Sequence, residues 1–184
     1  MKRKIMSMIA AVAILAGSTG AVYAYFSTTL TSVNNVFASG KMEMQLSKDN
    51  TTFTETVSAA FGGTGLMPGT CLQPGTLYIK NTGTVNGNHI DLTANNTNVS
   101  LASYLKLDTI TYDGIGVTVT DANSNGFVDL DDLKTSGAHN LALTDKNIAH
   151  PLVMKLCLDS SATNAQQEQT NTMELSVVLD QGPH

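Results

Sequence analysis

The run Asp121-Ala122-Asn123-Ser124-Asn125-Gly126-Phe127-Val128-Asp129-Leu130-Asp131-Asp132 carries oxygen side chains at positions 1, 3, 5, 9 and 12 of a twelve-residue window, with glycine at position 6. A hard divalent cation gathers six to eight oxygens, and a glycine at the sixth place permits the reversal that brings the first three donors together. Asp121, Asn123, Asn125, Asp129 and Asp132 are the candidate side-chain ligands, and Phe127 offers its backbone carbonyl. Calcium is the cation this donor set suits. Val128 at position 8 is the apolar residue expected to anchor the loop to a core. Three of the five side chains are charged, which places the expected affinity in the weak extracellular range of about 0.1 to 1 mM. The competing reading is an Asx-rich turn with no ion.

Cys71 and Cys157 are the second chemical pair. In a secreted chain two cysteines favour a disulfide, worth about 4 kcal/mol for a loop of this length on the chain-entropy estimate, over two unrelated small buried residues. Neither has a histidine or third cysteine at zinc spacing. His89, His139, His150 and His184 are scattered, with no His-Glu-x-x-His run, no Gly-x-Ser-x-Gly elbow and no phosphate-cradling loop. Asp108 and Asp113 are a carboxylate pair only if folding joins them. The expectation is a protein that is not an enzyme. Asn50, Asn95 and Asn98 each begin an Asn-x-Ser/Thr sequon, a candidate N-glycosylation site on a secreted surface.

Positioning these groups falls to short alternating segments. Met42, Met44 and Leu46 alternate with polar residues, as do Phe53 and Val57, Leu77 and Ile79, Ile90 and Leu92, and Ile115, Val117 and Val119. The same period recurs at Leu152, Met154, Leu156 and Leu158, and at Met173, Leu175, Val177 and Leu179. Period-two segments rich in Thr and Val, separated by Gly, Asn, Asp and Pro, predict an all-β antiparallel sandwich. Helical periodicity is confined to two short stretches, 100–107 and 130–134, while 95–98 and 160–172 read as polar loops. Cys157 is out of phase with Leu156 and Leu158, so a disulfide there lies on the outer face of a sheet rather than in the core.

The chain of 184 residues has ten Lys and Arg against fifteen Asp and Glu, and only 14% charged residues. No basic patch beyond Lys2-Arg3-Lys4 is available to nucleic acid. That basic start, the apolar stretch 5–16 and the small residues leading to Ala24 predict a secretory signal peptide over 1–24, cut between Ala24 and Tyr25. The apolar run is too short for a retained membrane anchor. Loss of 1–24 removes three cations and no anions, leaving an acidic domain of charge −8. The expected organisation is a signal peptide at 1–24, an N-terminal strand segment at 25–40, and a sandwich at 41–184 with the loop 121–132 inserted.

Asp132-Leu133 closing the loop resembles the end of the dockerin calcium repeat. A dockerin that binds its cohesin carries two such loops and this chain has one, so the expected ion is structural.

Ala24-Tyr25-Phe26-Ser27, followed by Val36-Phe37-Ala38-Ser39-Gly40-Lys41-Met42-Glu43-Met44, resembles the mature start of the TasA/camelysin family of secreted fibre proteins. Leu72-Gln73-Pro74-Gly75 running into Leu77-Tyr78-Ile79-Lys80-Asn81-Thr82-Gly83 is similar to that family's turn, strand and turn, and the last strand matches in kind. Within the family the likeness is to the archaeal bundling pilins. The resemblance implies a jelly-roll-like sandwich with one or two short helices that polymerises by donor-strand complementation, each subunit giving its N-terminal strand to the next. It places the donor at 25–35, with Phe26 and Leu30, or Tyr25 and Val33, entering the neighbour's groove. The implied partner is the chain itself, in head-to-tail filaments that bundle laterally outside the cell in a pilus or biofilm matrix. The alternative expectation is a calcium-dependent adhesion or carbohydrate-binding module that stays monomeric.

Overall fold

The computed structural model describes residues 39–181, so the signal segment, the donor candidates Tyr25, Phe26, Leu30 and Val33, the cleavage site and His184 lie outside the described residues. From residue 40 onward the chain is one compact unit. Its elements are β1 (Met44–Ser47), β2 (Gly75–Asn81), β3 (His89–Asn96), α1 (Val99–Ala102), β4 (Leu105–Tyr112), β5 (Ile115–Gly116), α2 (Leu130–Thr135), β6 (Ala138–Ala142), β7 (Ala149–Leu158) and β8 (Met173–Asp180). A five-stranded sheet runs β1-β2-β7-β4-β5 and a three-stranded sheet runs β6-β3-β8, with every strand pair antiparallel. The all-β sandwich with two short helices is the architecture the alternation predicts. Among the described residues no helix is long and apolar enough to cross a membrane.

The core follows from that alternation. Leu77 and Ile79 from β2 and Leu152, Met154, Leu156 and Leu158 from β7 meet Ile90, Leu92 and Ala94 from β3. Ile79, Ile90, Leu92 and Leu152 have no exposure at all. Each such side chain contributes about 1.5 to 3 kcal/mol by leaving water. Buried Asn81 ends β2 with an Asx turn, its Oδ1 accepting from Gly83 N at 2.9 Å and its Nδ2 donating to the Val85 carbonyl at 3.1 Å. Asn96, also buried, donates to the Leu130 carbonyl at 2.8 Å and so fastens β3 to the start of α2.

Several local expectations are corrected. Phe53 to Val57 is not a strand: only Thr54 pairs, in a single bridge with Leu46. The stretch 100–107 is not one helix, because α1 stops at Ala102 and β4 starts at Leu105, where pairing with β7 outweighs local propensity. Asn95 and Asn96 lie in β3 rather than a loop, paired with Glu174 and Met173. Val117 and Val119 fall beyond the two-residue β5, although Val117 N still donates to the Ile110 carbonyl at 3.0 Å.

Candidate cation loop and strand-acceptor groove

The twelve-residue loop folds around its own carboxylates. Asp121 accepts from the backbone N–H groups of Asn125 (3.2 Å) and Gly126 (2.9 Å), and Gly126 takes φ +95°, the left-handed side that its missing Cβ allows. Asp129 caps α2, its Oδ1 accepting from Asp131 N at 2.8 Å and Asp132 N at 3.0 Å. Asp132 returns the bond, Oδ2 accepting from Asp129 N at 3.0 Å, while its Oδ1 reaches back to Ala122 N (2.9 Å) and Asn123 N (3.2 Å). The last residue of the loop therefore holds the first turn in place. Val128 packs on the core as expected.

Asp129 and Asp132 are fully buried, and no basic side chain pairs with either among the described residues. Asp129 Oδ2 accepts from the side-chain amides of Asn123 (3.0 Å) and Asn125 (2.7 Å). Two buried carboxylates three residues apart repel one another, and neutral amides offset that only in part. The donor set thus fits a hard cation. Turning either amide about its terminal bond presents a carbonyl oxygen in place of NH2. In the arrangement described, however, the carboxylates of Asp121, Asp129 and Asp132 do not all lie within 4.8 Å of one another.

The disulfide is present. Cys71 stands opposite Cys157 of β7, in a strip where Leu72 N donates to the Leu156 carbonyl (2.8 Å) and Leu158 N to the Thr70 carbonyl (2.9 Å). The segment before β2 thereby extends the large sheet, with the sulfurs on the outer face that the phase of Cys157 predicts. Asp108 lies within 4.8 Å of both sulfurs. It sits where the β4–β7 register shifts and is bonded to Lys155 Nζ at 2.9 Å. Sulfurs joined to each other are not thiolate donors, so this is no metal centre.

Asp108 and Asp113 are not brought together. Asp113 lies in the turn after β4, where it pairs with His150 Nδ1 at 2.6 Å. His150 stacks on Tyr112 with ring centroids 5.9 Å apart. Tyr112 OH and His150 Nε2 are buried without a hydrogen-bond partner among the described residues, and burial raises the Tyr112 phenol far above its usual value. His139 instead pairs with Asp91 at 3.2 Å. Of the three sequons, Asn50 and Asn95 are exposed, whereas Asn98 is occupied as the cap of α1. Its Oδ1 accepts from Leu101 N (3.0 Å) and its Nδ2 donates to Gln169 Oε1 (2.9 Å) and the Thr170 carbonyl (3.3 Å).

A groove at the edge of the small sheet is the feature that residue types alone did not reveal. Among the described residues β8 pairs with β3 on one side only. Its inward residues Met173, Leu175, Val177 and Leu179 pack on the core but are only partly buried, in contrast to the buried inward residues of β7 and β3. Beside Met173 opens a cavity of about 830 Å³ floored by Leu101, Leu105, Leu130, Leu156 and Leu158. Finding it requires knowing that β8 is an edge strand, which its sequence, alternating like any other, does not disclose. No protein-family model and no curated protein matches this chain.

Proposed function

We propose that this protein is the structural subunit of an extracellular filament that polymerises by strand complementation. The observation that carries the reading is the edge of β8, unpaired among the described residues, whose partly buried apolar row begins at Met173 on the border of a cavity with a leucine floor. Such an edge is a template for an added strand: main-chain hydrogen bonds give affinity and alternate side chains fill pockets. The occupant is residues 25–35 of a second copy, which precede the described residues and offer Phe26 and Leu30 on one strand face or Tyr25 and Val33 on the other. A head-to-tail interface of this kind does not close on itself and generates a filament. The resemblance to the TasA/camelysin family and a disulfide suited to an oxidising compartment support the same reading.

In this reading a calcium ion held by the loop 121–132 is structural. The residues to hold it are Asp121, Asn123, Asn125, Asp129, Asp132 and the Phe127 carbonyl, and its positive charge offsets the two buried carboxylates. Lateral bundling follows from a surface poor in charge. Electron microscopy of the purified mature protein, with and without residues 25–35, is the test. Filaments from the intact chain and none from the truncated one are expected; filaments from both would overturn the proposal.

One observation favours a second reading, a calcium-dependent carbohydrate-binding or adhesion module. A cleft of about 410 Å³ next to the loop is lined by Tyr104, Phe127, Asn123, Asn125, Asp131 and Ser161, which combine aromatic faces with hydroxyl-binding groups. A protein that remains monomeric and binds glycans only with calcium present is the outcome that would favour it.

A further inference from the structure

The segment preceding Cys71 lines the cavity that opens at Met173, the first residue of β8, without backbone pairing to β8 among the described residues. Residues 61–68 form one wall of the cavity, and Phe61 and Leu66 pack against the core. Phe61 is seated on Gly75, at the start of β2 and on the same face as buried Leu77. A Cβ at Gly75 would stand 2.8 Å from Phe61 Cδ1 and 2.5 Å from the Ala60 carbonyl oxygen, so this close approach requires glycine. Yet from residue 57 to 66 no backbone group hydrogen-bonds to another backbone group among the described residues. Gly62 and Gly65 take φ +151° and +74°, and both face open space.

An apolar stretch that walls a cavity open at the start of an edge strand, makes no ladder and is rich in glycine is held by side-chain contact alone. Segments of that kind open at low cost compared with laddered strands. A donor strand reaching the same place brings main-chain bonds to β8 as well as its side chains. We propose that residues 57–66 are a displaceable plug: in the free subunit they seat Phe61 and Leu66 in the acceptor groove, and the N-terminal strand of an incoming copy expels them. The plug shields the edge of β8 from indiscriminate pairing and sets the rate at which filaments start. This rests on the strand-acceptor reading above.

The test uses the full mature chain, kept dilute, and a labelled peptide of residues 25–35 as probe. Phe61→Ser removes the plug's main contact, and Gly65→Ala disturbs its backbone without touching the core. If the open state is one part in ten of the wild-type population, both variants should bind the peptide about tenfold more tightly. Both should also shorten the lag before filaments appear. Wild-type binding with unchanged or weaker binding by both variants would overturn the plug while leaving the acceptor groove standing. No binding and no filaments from wild type would remove the acceptor reading, and the plug with it.

Discussion

Asp129 and Asp132 cap one another across the first turn of α2: Asp129 Oδ1 accepts from Asp132 N at 3.0 Å, and Asp132 Oδ2 accepts from Asp129 N at 3.0 Å. The pair serves as a helix cap whether or not a cation is bound, because the bonds go to backbone donors that a helix start leaves free. Substitution therefore has a cost independent of calcium. Asp129→Ala should lower stability by about 1 to 2 kcal/mol through the lost cap, read from the denaturant midpoint in chelator. Calcium at ten times its Kd should raise wild-type stability by about 1.4 kcal/mol and leave Asp129→Ala nearly unmoved. A wild-type melting temperature indifferent to millimolar calcium would leave the loop as an Asx-rich turn alone.

The disulfide should matter through the strip it closes. Joining Cys71 to Cys157 spans a sequence separation of 86, so replacing both by serine should cost about 4 to 5 kcal/mol on the chain-entropy estimate. The first amides to lose hydrogen-exchange protection should be Leu72 and Leu158, which bond across the pair. Equal protection in the reduced and oxidised proteins would show that the strip holds without the bond.

Acid should destabilise the fold through exposed carboxylates that serve as turn caps. Asp49 Oδ1 accepts from Thr52 N and Thr51 N, each at 2.8 Å, and from Ser47 Oγ at 2.8 Å, which holds its carboxyl far below the ordinary 3.8. The Asp159 carboxyl is lowered by the Ser161 hydroxyl and amide, and Asp108 by its bond to Lys155. A depressed folded value means the stabilisation is fully present above the unfolded value and is lost as pH falls toward the folded one. Wild type should thus lose stability progressively below about pH 4, and Asp49→Asn should show a shallower slope in that window. Parallel slopes for the two proteins would contradict the cap.

The strands legible in the sequence are those with one face turned to the core, since burial imposes the period of two: Leu77 and Ile79 and Leu152 to Leu158, which are buried, and Met173 to Leu179, which are partly so. β4 and β6 were missed because Asp108 sits at a register shift in one and His139 and Asn140 interrupt the other, so tertiary pairing rather than pattern makes them strands. The loop 121–132 was legible because its donors are contiguous. The groove at β8 was not, because an edge is a relation among strands distant in sequence.

Glycan occupancy should follow the hydrogen bonds rather than the sequons. A sugar on Asn98 would take an Nδ2 hydrogen that now goes to Gln169 or Thr170, while Asn50 and Asn95 face solvent. Peptide mass mapping of secreted protein should place any glycan at Asn50 or Asn95. A glycan at Asn98 would require an Nδ2 bond to Gln169 or Thr170 to be given up in the mature protein, although the Oδ1 cap of α1 could remain.

The Tyr112 hydroxyl offers a substitution that should stabilise. It is buried and without a partner, as is His150 Nε2 beside it, and a polar group stranded in this way costs roughly 1 to 3 kcal/mol of desolvation with no bond in return. Tyr112→Phe keeps the ring that stacks on His150 and removes only the oxygen. The midpoint of denaturation should rise, by up to about 1 kcal/mol once the small void is counted. His150→Ala should act in the opposite direction, because it also strips Asp113 of its partner at 2.6 Å and empties the space against Tyr112. A Tyr112→Phe variant less stable than wild type would show that the hydroxyl has a partner in solution, and a water bridging it to His150 Nε2 is the arrangement that result would require.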